Sequence, residues 1–230
     1  MRKTFIDGVG EVTLAKRRGN RHLRLSISPT GQVRVSLPVW APYALALSFL
    51  EERLEWIKHH RPAEPPLLRT GSRLGRYKLV FAAGASSAVR TYIKASTIEI
   101  RTALESSDPR VQAKAIRAAE RALKKEAEQV LPPRLAELAR AHHFKYKEVK
   151  IRRLTSRWGS CSTSKAIALS YFLVQLPAHL IDYVLLHELV HTKLSQHGPR
   201  FWAVMCQLVP NTPTYRKEIK TWRPRLIIDP

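Results

Sequence analysis

With 230 residues, 44% of them hydrophobic, the chain has apolar material for one sizeable core or two small ones. Two cysteines exclude a disulfide framework, and no apolar run approaches the length of a bilayer span. The formal net charge of +22 makes nucleic acid, nucleotides and anionic surfaces candidate partners, although a solvated basic face without any dedicated partner also accounts for it.

The first ten residues carry Asp7 and two glycines where a signal peptide needs an apolar stretch. A cytoplasmic protein with no membrane partner is therefore expected. From Val12 to Leu37 apolar residues alternate around Pro29-Thr30-Gly31, which predicts a β-hairpin. Ala41 to His60 reads as a helix on the spacing of Leu45, Phe49, Leu54 and Ile57. Pro62 to Pro66 is a breaker-rich linker, and short strands are expected over 76–81, 90–94 and 97–101. Asp108-Pro109 marks a helix start, with the aspartate as N-cap and the proline in the first turn. Ile116, Ala119, Leu123, Ala127 and Val130 continue that helix until Pro132-Pro133, which is expected to kink or split it. Strands over 147–154 and 166–174 should flank a loop at 157–165. Helices are expected around 178–194, 199–208 and 214–222. No internal repeat is visible. The pattern predicts an α+β fold in a single domain, 1–230, with a β-rich N-terminal part (about 1–105) feeding a helical core (about 106–230).

The chemistry concentrates at His187-Glu188-Leu189-Val190-His191, with His197 six residues on. Two histidines four apart lie on one face of a helix, one turn from each other, so both imidazoles reach a single metal ion. His197 is the natural third ligand, because Gly198-Pro199 breaks the helix and lets the chain fold back. Three protein ligands with a position left for water describe a catalytic zinc site, although histidine sets also accept other divalent transition metals. Glu188 leaves the helix ~100° away from His187, which suits a general base rather than a ligand. The segment around these residues is strongly apolar, and buried ionisable groups need a purpose.

Four pieces of the chain resemble the YgjP-like metallopeptidase family, a relative of the SprT-like zinc proteases. They are Arg157-Trp158-Gly159-Ser160-Cys161, Ile167-Ala168-Leu169 with Leu176-Pro177, Asp182-Tyr183-Val184 running into the histidine motif, and His197-Gly198-Pro199-Arg200-Phe201-Trp202. One departure is Ser170, where the family pattern often has asparagine. The resemblance implies a zincin-like helical core whose active-site helix carries the histidine motif beside a short sheet.

Three functions follow. The first is a zinc-dependent hydrolase of metallopeptidase type, with His187, His191 and His197 as ligands and Glu188 as base. In it a peptide pairs with the 166–174 strand if that strand lies at a sheet edge. The second is a nucleotide phosphoanhydride hydrolase, a nucleoside triphosphate pyrophosphatase, which basic residues near the cleft would favour. The third is a nucleic-acid-associated, SprT-like protease. Arg157 is a candidate catalytic residue that stabilises developing negative charge or binds an anionic group, with a structural ion pair as the alternative. Gly159 is expected in a tight turn, Trp158 to pack on the metal helix, Cys161 as a small buried residue, and Phe201 and Trp202 as anchors for the segment after His197.

Overall fold

The computed structural model describes residues 2–28, 31–60 and 67–228. Contacts divide the chain into two compact units, Met1–Pro66 and Leu67–Pro230. The Pro62 to Pro66 linker, and Pro29 and Thr30 of the expected turn, lie outside the described residues.

In the first unit β1 (Arg2–Ile6), β2 (Gly10–Arg17), β3 (Arg24–Ile27) and β4 (Val33–Pro38) form a sheet in the order β1-β2-β4-β3. The expected hairpin is the antiparallel β3–β4 pair, whereas β2 and β4 run parallel. Alternation sends Val12, Leu14, Val33 and Val35 to one face, where they form a core with Ala46, Leu50 and Ile57 from two helices. Those helices, α1 (Tyr43–Glu51) and α2 (Leu54–His60), replace the single helix expected over 41–60. Helix α1 is capped by Glu52, whose N–H closes the turn onto Leu50 and Ser48, and α2 begins two residues later.

The second unit opens with the same four-strand order. Strands β5 (Arg73–Leu74), β6 (Tyr77–Ala83), β7 (Arg90–Ile93) and β8 (Thr97–Thr102) are arranged β5-β6-β8-β7, again with the two middle strands parallel. The units thus share a strand plan that side-chain identity does not betray. Helix α3 (Pro109–Ala141) follows, started by Asp108, whose carboxylate accepts the Arg110 N–H at 2.8 Å. It contains Pro132 and Pro133 and is not split. Two prolines remove two backbone donors and crowd the preceding turn, but Leu131 and Leu135 are fully buried on either side and hold the helix to the core.

Three strands then frame the site: β9 (Glu148–Arg152), β10 (Gly159–Cys161) and β11 (Ala166–Ser170). Their order is β10-β11-β9, with β11 antiparallel to β10 and parallel to β9. The expected 157–165 loop therefore contains a strand. The expected 166–174 strand stops at Ser170, whose buried hydroxyl accepts from the Phe172 N–H and donates to the Leu154 carbonyl, turning the chain into a 3-10 segment over Tyr171–Gln175. Helices α4 (Ala178–His191), α5 (Pro199–Leu208) and α6 (Thr212–Glu218) complete the unit. Arg134 of α3 grips Asp182 of α4 with two hydrogen bonds of 2.8 and 2.6 Å. The fold is thus mixed α+β, built on several small sheets. Among the described residues no helix is long and apolar enough to cross a membrane.

Candidate metal centre

Helix α4 is apolar along most of its length, and Leu180, Leu185, Leu189 and Val190 hold it in the core. That anchoring fixes where its polar residues point. His187 and His191, one turn apart, present their Nε2 atoms 3.2 Å from each other. The chain leaves the helix after His191, and His197 returns with its Nε2 3.0 Å from that of His191 and 2.9 Å from that of His187. Among the described residues these are the histidine, cysteine or acidic side chains grouped closely enough to hold a metal ion. A tetrahedral ion at ~2.0–2.1 Å from each nitrogen spaces its ligands ~3.3 Å apart, close to this triangle.

Protonation supports the fit. His191 Nδ1 lies 3.0 Å from the Leu194 carbonyl, so Nδ1 carries the hydrogen and Nε2 offers its lone pair to the centre. Burial, reinforced by the two neighbouring histidines and Arg216, lowers the His187 pKa to about 3 and keeps that imidazole neutral. Burial also lowers the pKa of His191. The His187 Nδ1 is buried without a hydrogen-bond partner among the described residues.

The three imidazoles share a floor. Phe201, 1% exposed, has its ring centroid 4.9, 4.6 and 4.7 Å from those of His187, His191 and His197. Trp202 stacks on His197 and donates its indole N–H to the His197 carbonyl at 3.0 Å. The expected anchoring role of these aromatics is thus a direct one, on the imidazoles themselves.

Glu188 points from α4 toward β10. It is 5% exposed, and its Oε2 has no hydrogen-bond partner among the described residues. Burial pushes its carboxyl up to about 8, against a smaller opposing pull from Arg157. Gly159 explains how the carboxylate fits. A Cβ there would stand 2.6 Å from Glu188 Oε1 and 2.7 Å from its Cγ. The glycine is in a strand rather than the expected tight turn, and the property that matters is the missing side chain.

Around the histidines lies a cleft lined by Arg157 to Cys161 on one side, by Tyr183 and the motif of α4, and by Trp202, Arg216 and Lys220 on the other. Glu188 is its sole acidic group among the described residues, against the cations Arg157, Arg216 and Lys220. Arg157 is exposed at the rim and makes no ion pair among the described residues, and its charge acts on the Glu188 carboxylate. Trp158 is partly buried against the core and also lines the cleft. Cys161 lines it too, half-buried, with burial raising its thiol pKa. Its sulfur is outside the histidine group. Strand β10, not β11, is the sheet edge beside the histidines, so the expected pairing of a peptide with 166–174 is not available: β11 is hydrogen-bonded on both sides.

Sequence reasoning missed Tyr183, Arg216 and Lys220. Tyr183 had a signal, since it precedes His187 by four residues and therefore shares its face. Its ring lies 6.2 Å from that of His187. Arg216 had none, because only the packing of α6 carries its guanidinium to 4.1 Å from the Trp202 ring. A family model described as YgjP-like, metallopeptidase domain, matches residues 21–221. No curated protein matches the chain.

Proposed function

The chain belongs to the YgjP-like metallopeptidase family, and from that premise we propose that it is a zinc-dependent peptide hydrolase with a zincin-like active-site helix. The observation that carries the reading is the convergence of three imidazole Nε2 atoms within 2.9–3.2 Å beside a buried carboxylate whose Oε2 has no hydrogen-bond partner among the described residues.

His187, His191 and His197 are the proposed ligands. When bound, zinc supplies a Lewis acid, lowers the pKa of a water to ~7, and by its charge favours the ionised form of Glu188. Glu188 then takes the proton of the attacking water and passes it to the leaving nitrogen. Its position is held by contact with Gly159 on one side and by α4 on the other. Arg157, at the rim, neutralises negative charge that develops on the carbonyl oxygen. An extended peptide adds to the free edge of β10, whose Gly159 and Ser160 line the cleft.

One observation favours a second reading. Three cations face a cleft with a single acidic group, which suits a nucleoside triphosphate whose phosphoanhydride is hydrolysed with the same residues. Purified protein loaded with zinc, assayed in parallel on a quenched-fluorescent peptide library and on nucleoside triphosphates, decides between them. Peptide turnover that disappears in Glu188→Gln while metal content stays at one equivalent supports the first reading. Pyrophosphate release with intact peptides refutes it in favour of the second, and inactivity on both overturns the two together.

A further inference from the structure

The sheet of the N-terminal unit has a second face, opposite the one that carries the core, on which Lys3, Phe5, Arg17, Arg24 and Arg34 are exposed while Ala15 and Pro38 are buried. Alternation along the strands, with their register, assigns its residues. Across the sheet run Phe5 beside Glu11, then Lys3, Thr13, Arg34 and Ser26, then Ala15, Ser36 and Arg24, and finally Arg17 beside Pro38. The face opposite holds the buried Val12, Leu14, Val33 and Val35.

An exposed sheet face normally mixes charge signs. Here Glu11 is the only acid among the described residues, and it is engaged by Lys3 at 2.9 Å. Arg17, Arg24 and Arg34 are exposed and make no ion pair among the described residues. Arg34 and Arg24 are diagonal neighbours on adjacent strands, ~7–8 Å apart at the backbone, and Arg17 lies further along toward the same end. Between them stand only small side chains, Thr13, Ala15, Ser26 and Ser36, so the surface is flat. An aromatic ring lies at its far end: Phe5 is 77% exposed. A second, Trp40, is 74% exposed two residues beyond Pro38, the register partner of Arg17.

Guanidinium groups bind phosphate oxygens bidentately, and flat aromatic surfaces stack bases. A flat sheet offers no element to enter the groove of a duplex, and it lacks the continuous apolar strip by which an amphipathic surface enters a lipid headgroup layer. We infer that this outer face of the β1-β2-β4-β3 sheet binds single-stranded nucleic acid, with Arg17, Arg24 and Arg34 on the phosphates and Phe5 stacking a base. The inference is independent of the chemistry proposed for the metal centre.

The test is fluorescence anisotropy of the full-length protein with a labelled oligouridylate of about 20 nucleotides, titrated at several salt concentrations between about 50 and 200 mM. Binding that weakens with salt is expected. Joint replacement Arg17→Ala, Arg24→Ala, Arg34→Ala should reduce the slope of log affinity against log salt by ~2, because each phosphate contact on a single strand contributes ~0.7. Phe5→Ala should weaken binding ~5- to 100-fold and leave the slope unchanged. Circular dichroism melts check folding, and if the joint variant fails to fold, Arg34→Gln alone should lower the slope by ~0.7. No binding at the lowest salt overturns the inference, as does binding unchanged by these substitutions. Equal affinity for a duplex of the same length overturns it as well. Binding to phosphatidylserine vesicles without binding to the oligonucleotide assigns the face to membranes instead.

Discussion

Replacing Glu188 by glutamine separates the effect of this residue on folding from the part proposed for it in the reaction. In metal-free protein its buried carboxyl titrates at about 8 rather than at the ordinary 4.5, chiefly because burial disfavours the charge. Between those two values the unfolded chain has released the proton while the folded chain still holds it. Stability contributed by the protonated form is therefore complete below about pH 4.5, and it is lost as pH rises to about 8. At ~1.4 kcal/mol per pH unit the full interval gives an upper bound of ~5 kcal/mol, and water entering the cleft lowers this to ~2–4 kcal/mol. Glutamine is nearly the same size and has no proton to lose. In urea unfolding followed by circular dichroism, with chelator present, Glu188→Gln should match the wild type near pH 5 and exceed it by ~2–4 kcal/mol near pH 8.5. Saturating zinc should narrow that gap, because a dication beside the carboxylate favours the charged form. In the same variant turnover should fall ~10²–10⁴-fold. A gap that does not widen with pH would refute the reasoning, since it would mean that the carboxyl is already ionised in the metal-free fold. Loss of zinc from the variant would show that Glu188 acts as a ligand or supports the ligands instead.

Other substitutions probe the remaining parts. Gly159→Ala should fold and keep its metal but lose at least ~10-fold in kcat, because the new methyl group must displace the carboxylate; unchanged kcat with bound metal would show that the close contact is immaterial. His197→Ala should weaken zinc binding, measured by competition with a chelator, by more than the ~10–100-fold typical of losing a supporting partner alone. Arg157→Ala should lower kcat/KM ~10–1000-fold with little change in Tm, and Arg157→Lys should restore little; the reverse pattern, a lowered Tm with full activity of the folded fraction, would make the residue structural. Gln112 hydrogen-bonds both backbone groups of Leu68 at 2.9 Å and the Ser106 carbonyl at 2.6 Å, so Gln112→Ala should cost ~2–4 kcal/mol in urea unfolding without altering zinc affinity.

The parts of the site that were legible in the sequence are those governed by local geometry. The spacing of His187 and His191 is a helix-face relation, Gly198-Pro199 is a break, and Asp108-Pro109 is a helix start, and each needs only nearest neighbours along the chain to be understood. The parts that were not legible depend on what packs against what. Gly159 reads as a turn residue until Glu188 is placed against it. The edge position of β10 is invisible because β9, eleven residues earlier in its start, pairs with β11 and occupies the other side of that strand. Pro132-Pro133 carries a strong local preference to end a helix, and burial of Leu131 and Leu135 overrides it. Arg216 reaches the cleft only through α6.

Phe201 gives the centre a closed back. With one buried ring against all three imidazoles, the Nε2 triangle is approached from its cleft side. Whatever arrives there, whether metal, chelator or substrate, uses the same doorway. For the proposed metal centre, exchange of the ion and turnover would then be mutually obstructive: an occupant stalled in the cleft should slow stripping of the metal by a chelator, and should do so in proportion to its own occupancy rather than to any tightening of the fold.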